Sequence, residues 1–229
     1  MFDKIKEAVR KAQDVGNALK FDPSKFDDPI AEQTEWTTLS RNSTSFKTHD
    51  LVTDGVNRAE FKATLGASLF GGLFMVIGGI AFLVWLNSVF QEGLSFTFDS
   101  LGLLLFPLIF GGAGYFLFRL YRTPIVFDKL NMTYWKSANE PDHHADIKNM
   151  DNAAHLDDIH ALQILRKYVR SNSNRSSGSS GRGYYVYELN LILKDGTRRA
   201  VVAHGSGNSL LRDVQKLSQF LNVPIWSAV

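Results

Sequence analysis

The chain has 229 residues, of which 25 are Lys or Arg and 23 are Asp or Glu, giving a formal net charge of +2. So small a net charge argues against nucleic acid as a partner, and the absence of cysteine excludes disulfides, thiolate metal sites and thiol catalysis. Apolar residues are concentrated in the middle of the chain and charged residues toward its ends. We therefore expect these regions to work in different surroundings.

Residues 1–62 are predicted to be a cytoplasmic N-terminal helix followed by a linker. Phe2, Ile5 and Val9 fall on one face of a helix spanning 1–20, with basic residues around it. Such a helix suits the surface of an anionic membrane leaflet, and it suits docking on protein equally well. The stretch lacks the apolar core of a cleavable signal peptide, so any membrane insertion must come from an internal segment.

The rest of this N-terminal part has the composition of a loop. Asp28 before Pro29 is a typical helix start, since Asp suits the cap position and Pro the first helical position. Residues 36–52 are rich in Ser and Thr, which favours loop or strand over helix. His49 lies in this stretch, and we expect it to be structural rather than catalytic.

Two long uncharged runs predict a transmembrane helical hairpin over residues 63–121. Residues 64–90 and 101–118 contain no Asp, Glu, Lys, Arg or His. At about 1.5 Å per residue, the first run exceeds the roughly 30 Å hydrocarbon core of a bilayer. Two buried helices of a soluble protein are the alternative, which the length and closeness of the runs disfavour. Because neither run holds a charge, we expect an anchor in the lipid bilayer rather than a transporter.

The basic residues that flank the runs predict the orientation of the hairpin. No Lys or Arg lies between residues 63 and 118, and the connecting loop holds only acidic charges. Under the positive-inside rule both termini of this multi-pass protein are cytoplasmic and the connecting loop faces out. Small residues within the runs predict close helix packing rather than a pore. The flanking residues are Arg58, Lys62, Arg119, Arg122 and Lys129; the small ones are Ala67, Ser68, Gly71 and Gly72, with Gly111, Gly112 and Gly114 after Pro107.

Residues 122–229 predict a cytoplasmic α+β domain in which short antiparallel strands are closed by one C-terminal helix. Residues 159–169 allow either strand or helix. Asp195 followed by Gly196 is a hairpin turn signal. Alternating apolar residues predict strands at 125–127, 132–135, 184–194 and 197–203, and helical spacing predicts an amphipathic helix at 208–221 that ends at Asn222 and Pro224.

Two polar segments interrupt this domain. Residues 171–183 form a Ser-, Gly- and Arg-rich insert that we expect to be a flexible, solvated loop, because no strand-to-helix context supports a phosphate site. Residues 141–160 carry histidines and aspartates, which suit divalent metal ions. Their spacing matches no metal motif, so we expect a polar surface loop. The side chains concerned are Arg170, Arg175 and Arg182 in and beside the insert, and His143, His144, His155 and His160 in the second segment.

No catalytic residue, cofactor site or metal site is predicted, and we do not expect an enzyme. Ser206 lies in HGSGN but lacks the strand–turn–helix setting of a nucleophile elbow. Asn208 is a candidate cap of the last helix rather than a reactive group. The sequence also lacks a glycine-rich phosphate-binding loop.

Three stretches of the chain carry a resemblance to known proteins: PIVFD (124–128), YELNLILKDGTRRAVVAHG (187–205) and FLNVPIW (220–226). They resemble bacterial membrane proteins that carry a C-terminal PH-like domain after a two-helix anchor. The resemblance covers residues 60–229 and implies a protein of the bacterial inner membrane with a small antiparallel PH-like β-roll capped by the terminal helix, but no activity and no ligand. Arg198 and Arg199 are adjacent on a strand and point to opposite faces, so they do not make a basic lipid-headgroup pocket.

The leading functional prediction is a non-enzymatic inner-membrane protein that presents a PH-like interaction domain to the cytoplasm. It would recognise a protein partner through an edge or the helix face of the roll. The first alternative is an immunity protein that protects the inner membrane against a pore-forming toxin. The second is sensing of anionic lipid, which predicts salt-sensitive binding to liposomes. The PH-like resemblance does not choose among them, because one fold hosts many functions.

Overall fold

The computed structural model describes residues 21–40, 44–93, 98–142, 147, 150–169 and 183–229. The predicted N-terminal helix and all but the last residue of the insert lie outside these ranges. The chain divides into two compact units, which we call the sheet unit and the hairpin unit. The sheet unit holds the described residues up to Lys47 with Leu51–Phe61 and Pro124–Val229; the hairpin unit holds Thr48–Asp50 and Lys62–Thr123.

The described chain begins with residues 21–40, which we call the strap. The strap contains a 3₁₀ turn, Pro23–Phe26, and a short helix, α1, at Pro29–Gln33. The Asp28 carboxylate accepts the Ile30 backbone N–H at 2.9 Å, which satisfies one of the donors that a helix start leaves open. The predicted cap is confirmed.

Five strands form the first sheet, and each strand neighbours the next along the chain. They are β1 His49–Thr53, β2 Arg58–Ala63, β3 Ile125–Asp128, β4 Thr133–Lys136 and β5 Ala153–His155. The chain leaves the sheet after β2 and returns at β3, and these two strands pair antiparallel, with Arg58 opposite Asp128. The two long helices therefore form an insertion between neighbouring strands.

The strands β1 and β2 lie before residue 122, where the sequence predicted the folded domain to begin. The composition of residues 36–52 allowed loop or strand, which fits β1, whereas β2 was not predicted. In β2, Ala59 and Phe61 are buried and alternate with more exposed side chains. This is the period-two pattern of a strand with one covered face. With only six residues directly before a long apolar run, the pattern is too short to stand out in the sequence.

Two long helices make up most of the hairpin unit: α2, Leu65–Glu92, and α3, Phe98–Tyr121. The helices approach closely because glycines of one lie against the backbone of the other. A Cβ atom on Gly71 would stand 2.9 Å from the backbone nitrogen of Phe118, closer than real Cβ contacts. Two further close approaches join Gly78 to Gly111 and Gly114 to Met75.

The close packing predicted at small residues is confirmed for one side of the hairpin. Gly72 and Gly112, by contrast, have nothing within contact distance of an added Cβ, so these two positions do not form the helix interface. The two candidate spans are Leu65–Gln91 and Gly102–Tyr121. Only 11% of the most apolar stretch within each span is buried. The two helices are long and apolar enough to cross a membrane, and their exposed apolar surface is unlike that of a soluble protein's core helices.

Four strands form the second sheet, in the order β8-β7-β6-β9. They are β6 Ile159–Val169, β7 Tyr184–Leu193, β8 Arg198–His204 and β9 Ile225–Ser227. Residues 159–169, for which the sequence allowed strand or helix, are therefore a strand. The last strand, β9, was not predicted, and it pairs parallel to β6. The sheet is therefore mixed rather than purely antiparallel.

Apolar side chains of both sheets and of helix α4, Gly207–Leu221, form the main core of the sheet unit. Leu210, Val214 and Leu217 are completely buried on one face of α4, as their spacing predicts. From the sheets, the core takes Phe61, Phe127, Leu162, Leu189 and Leu191, among others. The prediction of an apolar helix pair together with an α+β part is confirmed at this level.

The two ends of α4 are set differently. Ser206, not Asn208, occupies the position before the first turn, and it makes no side-chain cap bond. The prediction of Asn208 as the cap was wrong, because the helix already begins at Gly207. At the other end Asn222 adopts the left-handed conformation (φ 58°) and its N–H donates to the Ser218 carbonyl, so the predicted stop is confirmed.

Candidate functional site

Both faces of the four-stranded sheet are covered. Leu162 and Leu189 lie in the main core. Because side chains alternate along a strand, Gln163, Glu188 and Asn190 lie on the opposite side, which we call the outer face. These three polar residues are between 0% and 1% exposed, and the strap provides their cover.

The first half of the strap is held on the outer face by aromatic packing. The rings of Phe26 and Trp36 stack with centroids 5.5 Å apart, and Trp226 of β9 lies 5.8 Å from Phe26. The Trp36 indole N–H donates to the Ala31 carbonyl at 3.1 Å, and Ala31 is fully buried. Apolar burial and ring contacts therefore anchor residues 21–34, and Trp36, in the segment that follows, joins the same aromatic cluster.

Two polar contacts add to this anchor. The Lys25 ammonium donates to the Ser227 carbonyl at 2.9 Å. The His160 Nε2 atom lies 2.7 Å from the Asp28 carboxylate. Burial raises the pKa of Asp28. The hydrogen bonds from His160 and from the Ile30 N–H together lower it by more, so the pKa of Asp28 is below its ordinary value.

The second half of the strap, residues 35–40, lies over a row of buried polar side chains. We call this set the polar row: Gln163 and Lys167 of β6, Glu188 and Asn190 of β7, and Arg198 of β8. Charged side chains are rarely buried unless they are paired and hydrogen-bonded. Their partners here are mostly main-chain groups of the strap.

Glu188 binds two consecutive backbone N–H groups. Its two carboxylate oxygens accept the N–H of Leu39 and the N–H of Ser40, each at 2.7 Å. The Asn190 side-chain amide donates to the same carboxylate at 2.9 Å. Hydrogen bonds to an ionised group are short and strong, so Glu188 fixes the backbone at this point of the strap.

The other members of the row bind carbonyl oxygens of the strap. Gln163 donates to the Glu35 carbonyl at 3.0 Å, Arg198 donates to the Thr37 carbonyl at 2.7 Å, and Lys167 donates to the Ser40 carbonyl. Arg198 also donates to the Glu35 carboxylate at 3.1 Å. In these bonds, Glu35 is the one residue of 35–40 whose side chain the row contacts. The row therefore contacts mainly the backbone of residues 35–40.

The polar row and Glu35 together hold equal numbers of basic and acidic side chains. The row contains Lys167, Arg198 and Glu188, and the exposed carboxylate of Glu35 supplies the second negative charge. Burial lowers the pKa of the Arg198 guanidinium, and the negative charges of Glu35 and Glu188 oppose that change. An arginine stays protonated in proteins, so Arg198 keeps its positive charge. A buried network of this kind favours one arrangement, although the buried Oδ1 atom of Asn190 has no hydrogen-bond partner among the described residues.

The structure separates the histidines that the sequence grouped together. His160 holds the strap through Asp28, whereas His155 is an exposed residue at the end of β5. His49 lies in β1 with its Nδ1 atom 2.8 Å from the Thr48 hydroxyl. Among the described residues, no group of three or more His, Cys, Asp or Glu side chains could hold a metal ion. His143, His144, Arg170, Arg175 and Arg182 lie outside the described residues.

Ser206 makes a structural contact, and the cavity beside His155 is smaller than a typical ligand pocket. The Ser206 N–H donates to the His204 Nδ1 atom at 3.2 Å, so Ser206 serves the chain bend before α4. A cavity of about 160 Å³ lies beside His155, Asp158 and Asp195. Pockets for drug-sized ligands are typically about 300 Å³ or larger.

The polar row was not predicted from the sequence, because its members look like solvent-facing residues of an amphipathic strand. One signal was available in β7. After Glu188 and Asn190, the outer face continues with Ile192, which is fully buried. An apolar residue in the polar register indicates that the second face of a strand is also covered.

The chain matches no protein-family model, no curated protein and no solved structure.

Proposed function

We propose that this chain is a non-enzymatic bacterial inner-membrane protein whose sheet unit is a cytoplasmic protein-interaction domain. The observation that carries the proposal is the polar row, which holds a non-helical polypeptide segment, residues 35–40, by its backbone on the outer face of the sheet. Recognition of extended segments through main-chain hydrogen bonds is a recurring way in which domains bind other proteins.

The hairpin unit supports the membrane part of the proposal. Its two helices are long enough to cross a bilayer and expose apolar side chains such as Leu69, Leu73 and Ile80. The basic residues outside the spans support cytoplasmic termini under the positive-inside rule. A reporter enzyme that works only in the cytoplasm, fused after Val229, is expected to be active; activity of a reporter that works only in the periplasm would contradict this orientation.

The PH-like part of the proposal is supported by the order of elements in the sheet unit. Two sheets enclose one core, and a single helix near the C-terminus packs against both. In this arrangement the hairpin α2–α3 is an insertion into the first sheet rather than an anchor that precedes the domain.

The experiment that tests the proposed function is crosslinking in living cells followed by purification of the tagged full chain from membranes. The expected result is a protein that co-purifies in stoichiometric amount. If that protein is a secreted, toxin-like polypeptide, the interaction is that of an immunity protein. Recovery of lipid without protein would overturn the proposal in favour of lipid sensing, and recovery of the chain from the soluble fraction would overturn its membrane part.

A further inference from the structure

We propose that the outer face of the four-stranded sheet is a peptide-binding site that the protein fills with its own residues 35–40. A partner's peptide segment binds by replacing them. The inference deepens the proposed function, on which it rests, by naming the contact surface and the chemistry of the partner. That partner is a polypeptide segment that begins with an acidic residue followed by an aromatic one and adopts the backbone course of residues 35–40.

The contacts between the polar row and residues 35–40 can be made by another peptide, because most of them go to main-chain groups. The polar row binds the carbonyls of Glu35, Thr37 and Ser40 and the N–H groups of Leu39 and Ser40. These groups belong to the main chain, so any peptide that follows the same backbone course offers them. Residues 35–40 of the strap therefore hold their place chiefly because of their backbone.

The second step concerns the side chains that a partner must supply. Arg198 reaches the carboxylate of Glu35 at 3.1 Å, and its guanidinium is mostly buried while the Glu35 side chain is 77% exposed. The next side chain, Trp36, stacks on Phe26. A competing segment with Asp or Glu and then an aromatic residue would meet the same two groups, whereas a basic first residue would face Arg198.

The third step is that the strap can release residues 35–40 without leaving the sheet. Its first half has independent anchors: buried Ala31 in the apolar cluster, the His160–Asp28 contact and the Lys25–Ser227 bond. The covalent connection gives residues 35–40 a high effective concentration at the row. A free peptide therefore binds more weakly to the intact protein than to one whose own segment is displaced.

The test uses the full chain in detergent micelles and a fluorescent peptide with the sequence TEWTTLS, which is residues 34–40. In Leu39→Pro the strap loses the N–H that Glu188 accepts, while all side chains of the polar row stay intact. The matched control, Leu39→Ala, keeps that N–H. We expect Leu39→Pro to bind the peptide about tenfold more tightly than the wild type or Leu39→Ala.

Two further measurements test the chemistry of the site in the Leu39→Pro protein. Addition of Glu188→Gln, or a peptide with proline in place of its leucine, is expected to weaken binding about tenfold. Equal and weak binding by Leu39→Pro, Leu39→Ala and the wild type would mean that residues 35–40 are a permanent part of the domain, and would overturn the inference.

If Leu39→Pro does not fold, a measurement on the otherwise wild-type chain tests whether a peptide displaces residues 35–40. Because the chain has no cysteine, Leu39→Cys gives a single attachment point for an environment-sensitive fluorophore on an exposed side chain. Excess TEWTTLS peptide is expected to shift its emission as residues 35–40 leave the sheet, and a scrambled peptide is expected to leave it unchanged. No shift at a saturating peptide concentration would overturn the inference.

The two proposals fail in different ways. If the wild-type chain captures no protein from cells, the proposed function fails. If a protein co-purifies equally well with the wild type and with Glu188→Gln, the interaction stands, but its surface lies elsewhere and the inference about the polar row is overturned.

Discussion

The two faces of β7 are equally buried but are stabilised by different physics. Leu189 and Leu191 are 0% exposed in the apolar core, and Glu188 and Asn190 are 1% and 0% exposed beneath the strap. The core face gains free energy from the removal of apolar surface from water. On the outer face, hydrogen bonds to the strap and within the polar row take the place of bonds to water. Burial alone therefore does not say whether a surface is a core or a binding site.

The largest expected effect comes from a charge on the core face. Leu217→Asp places a carboxylate at a fully buried position of α4, where no partner compensates the loss of hydration. We expect the free energy of unfolding to fall by at least about 4 kcal/mol, enough to unfold the sheet unit. Gln215→Asp, at an exposed position of the same helix, is the control and is expected to change little. Limited proteolysis of the full chain in detergent would measure both, and a protease-resistant Leu217→Asp protein would contradict the assignment of this face.

The next effect comes from an apolar side chain on the outer face. Glu188→Leu has a volume suited to the site but leaves the N–H groups of Leu39 and Ser40 without an acceptor. We expect a loss of about 3 kcal/mol, measured by chemical denaturation, because buried donors left unsatisfied are costly. Glu188→Gln retains an acceptor oxygen and should lose less. Equal stability of Glu188→Leu and the wild type would show that the outer face behaves like a core.

A smaller, pH-dependent effect is expected on the core side, at Asp213 of α4. Burial raises the pKa of this carboxyl group, and the Lys47 ammonium at 3.8 Å only partly opposes it. A raised folded-state pKa means that the folded state binds the proton more tightly. The resulting stabilisation is complete below the unfolded pKa, near 4, and is lost as the pH rises through the folded value.

Asp213→Asn is therefore expected to raise the melting temperature at pH 7 relative to the wild type and to flatten its dependence on pH between 3 and 6. Thermal unfolding at several pH values would measure this. A variant that keeps the pH dependence of the wild type would show that another group is responsible.

The smallest effect is expected for the exposed partner of the polar row. Glu35→Ala removes a carboxylate that is 77% exposed while leaving all backbone bonds of the strap in place. Exposed ion pairs contribute little, so we expect a change within about 1 kcal/mol by chemical denaturation. An effect as large as that of Glu188→Leu would mean that side chains, not the backbone, hold residues 35–40.

The same comparison explains how far the sequence could predict the molecule. The apolar runs of the hairpin and the alternation of β7 are local patterns, so the helices, the strand and the buried face of α4 could be derived from spacing. The contact between Glu188 and Leu39 joins residues that are 149 positions apart. It uses a backbone N–H of the strap, which every residue except proline has. No side-chain pattern in residues 35–40 therefore predicts this contact.

The place of β1 and β2 in the first sheet could not be predicted for a related reason. Their side chains show the alternation of a half-buried sheet only over a few residues, and their neighbour β3 lies beyond both long helices. A pairing partner so distant in sequence gives no local signal, and tertiary context decides whether a short polar segment becomes a strand.

The insertion of the hairpin between β2 and β3 also sets an order for biosynthesis. The ribosome completes β2 before it has made either helix, and β3 emerges only after both. Until then β2 has an open edge on the side where β3 will pair, and open edges can pair with other chains. The first sheet can therefore be completed only after both helices of the hairpin have been synthesised.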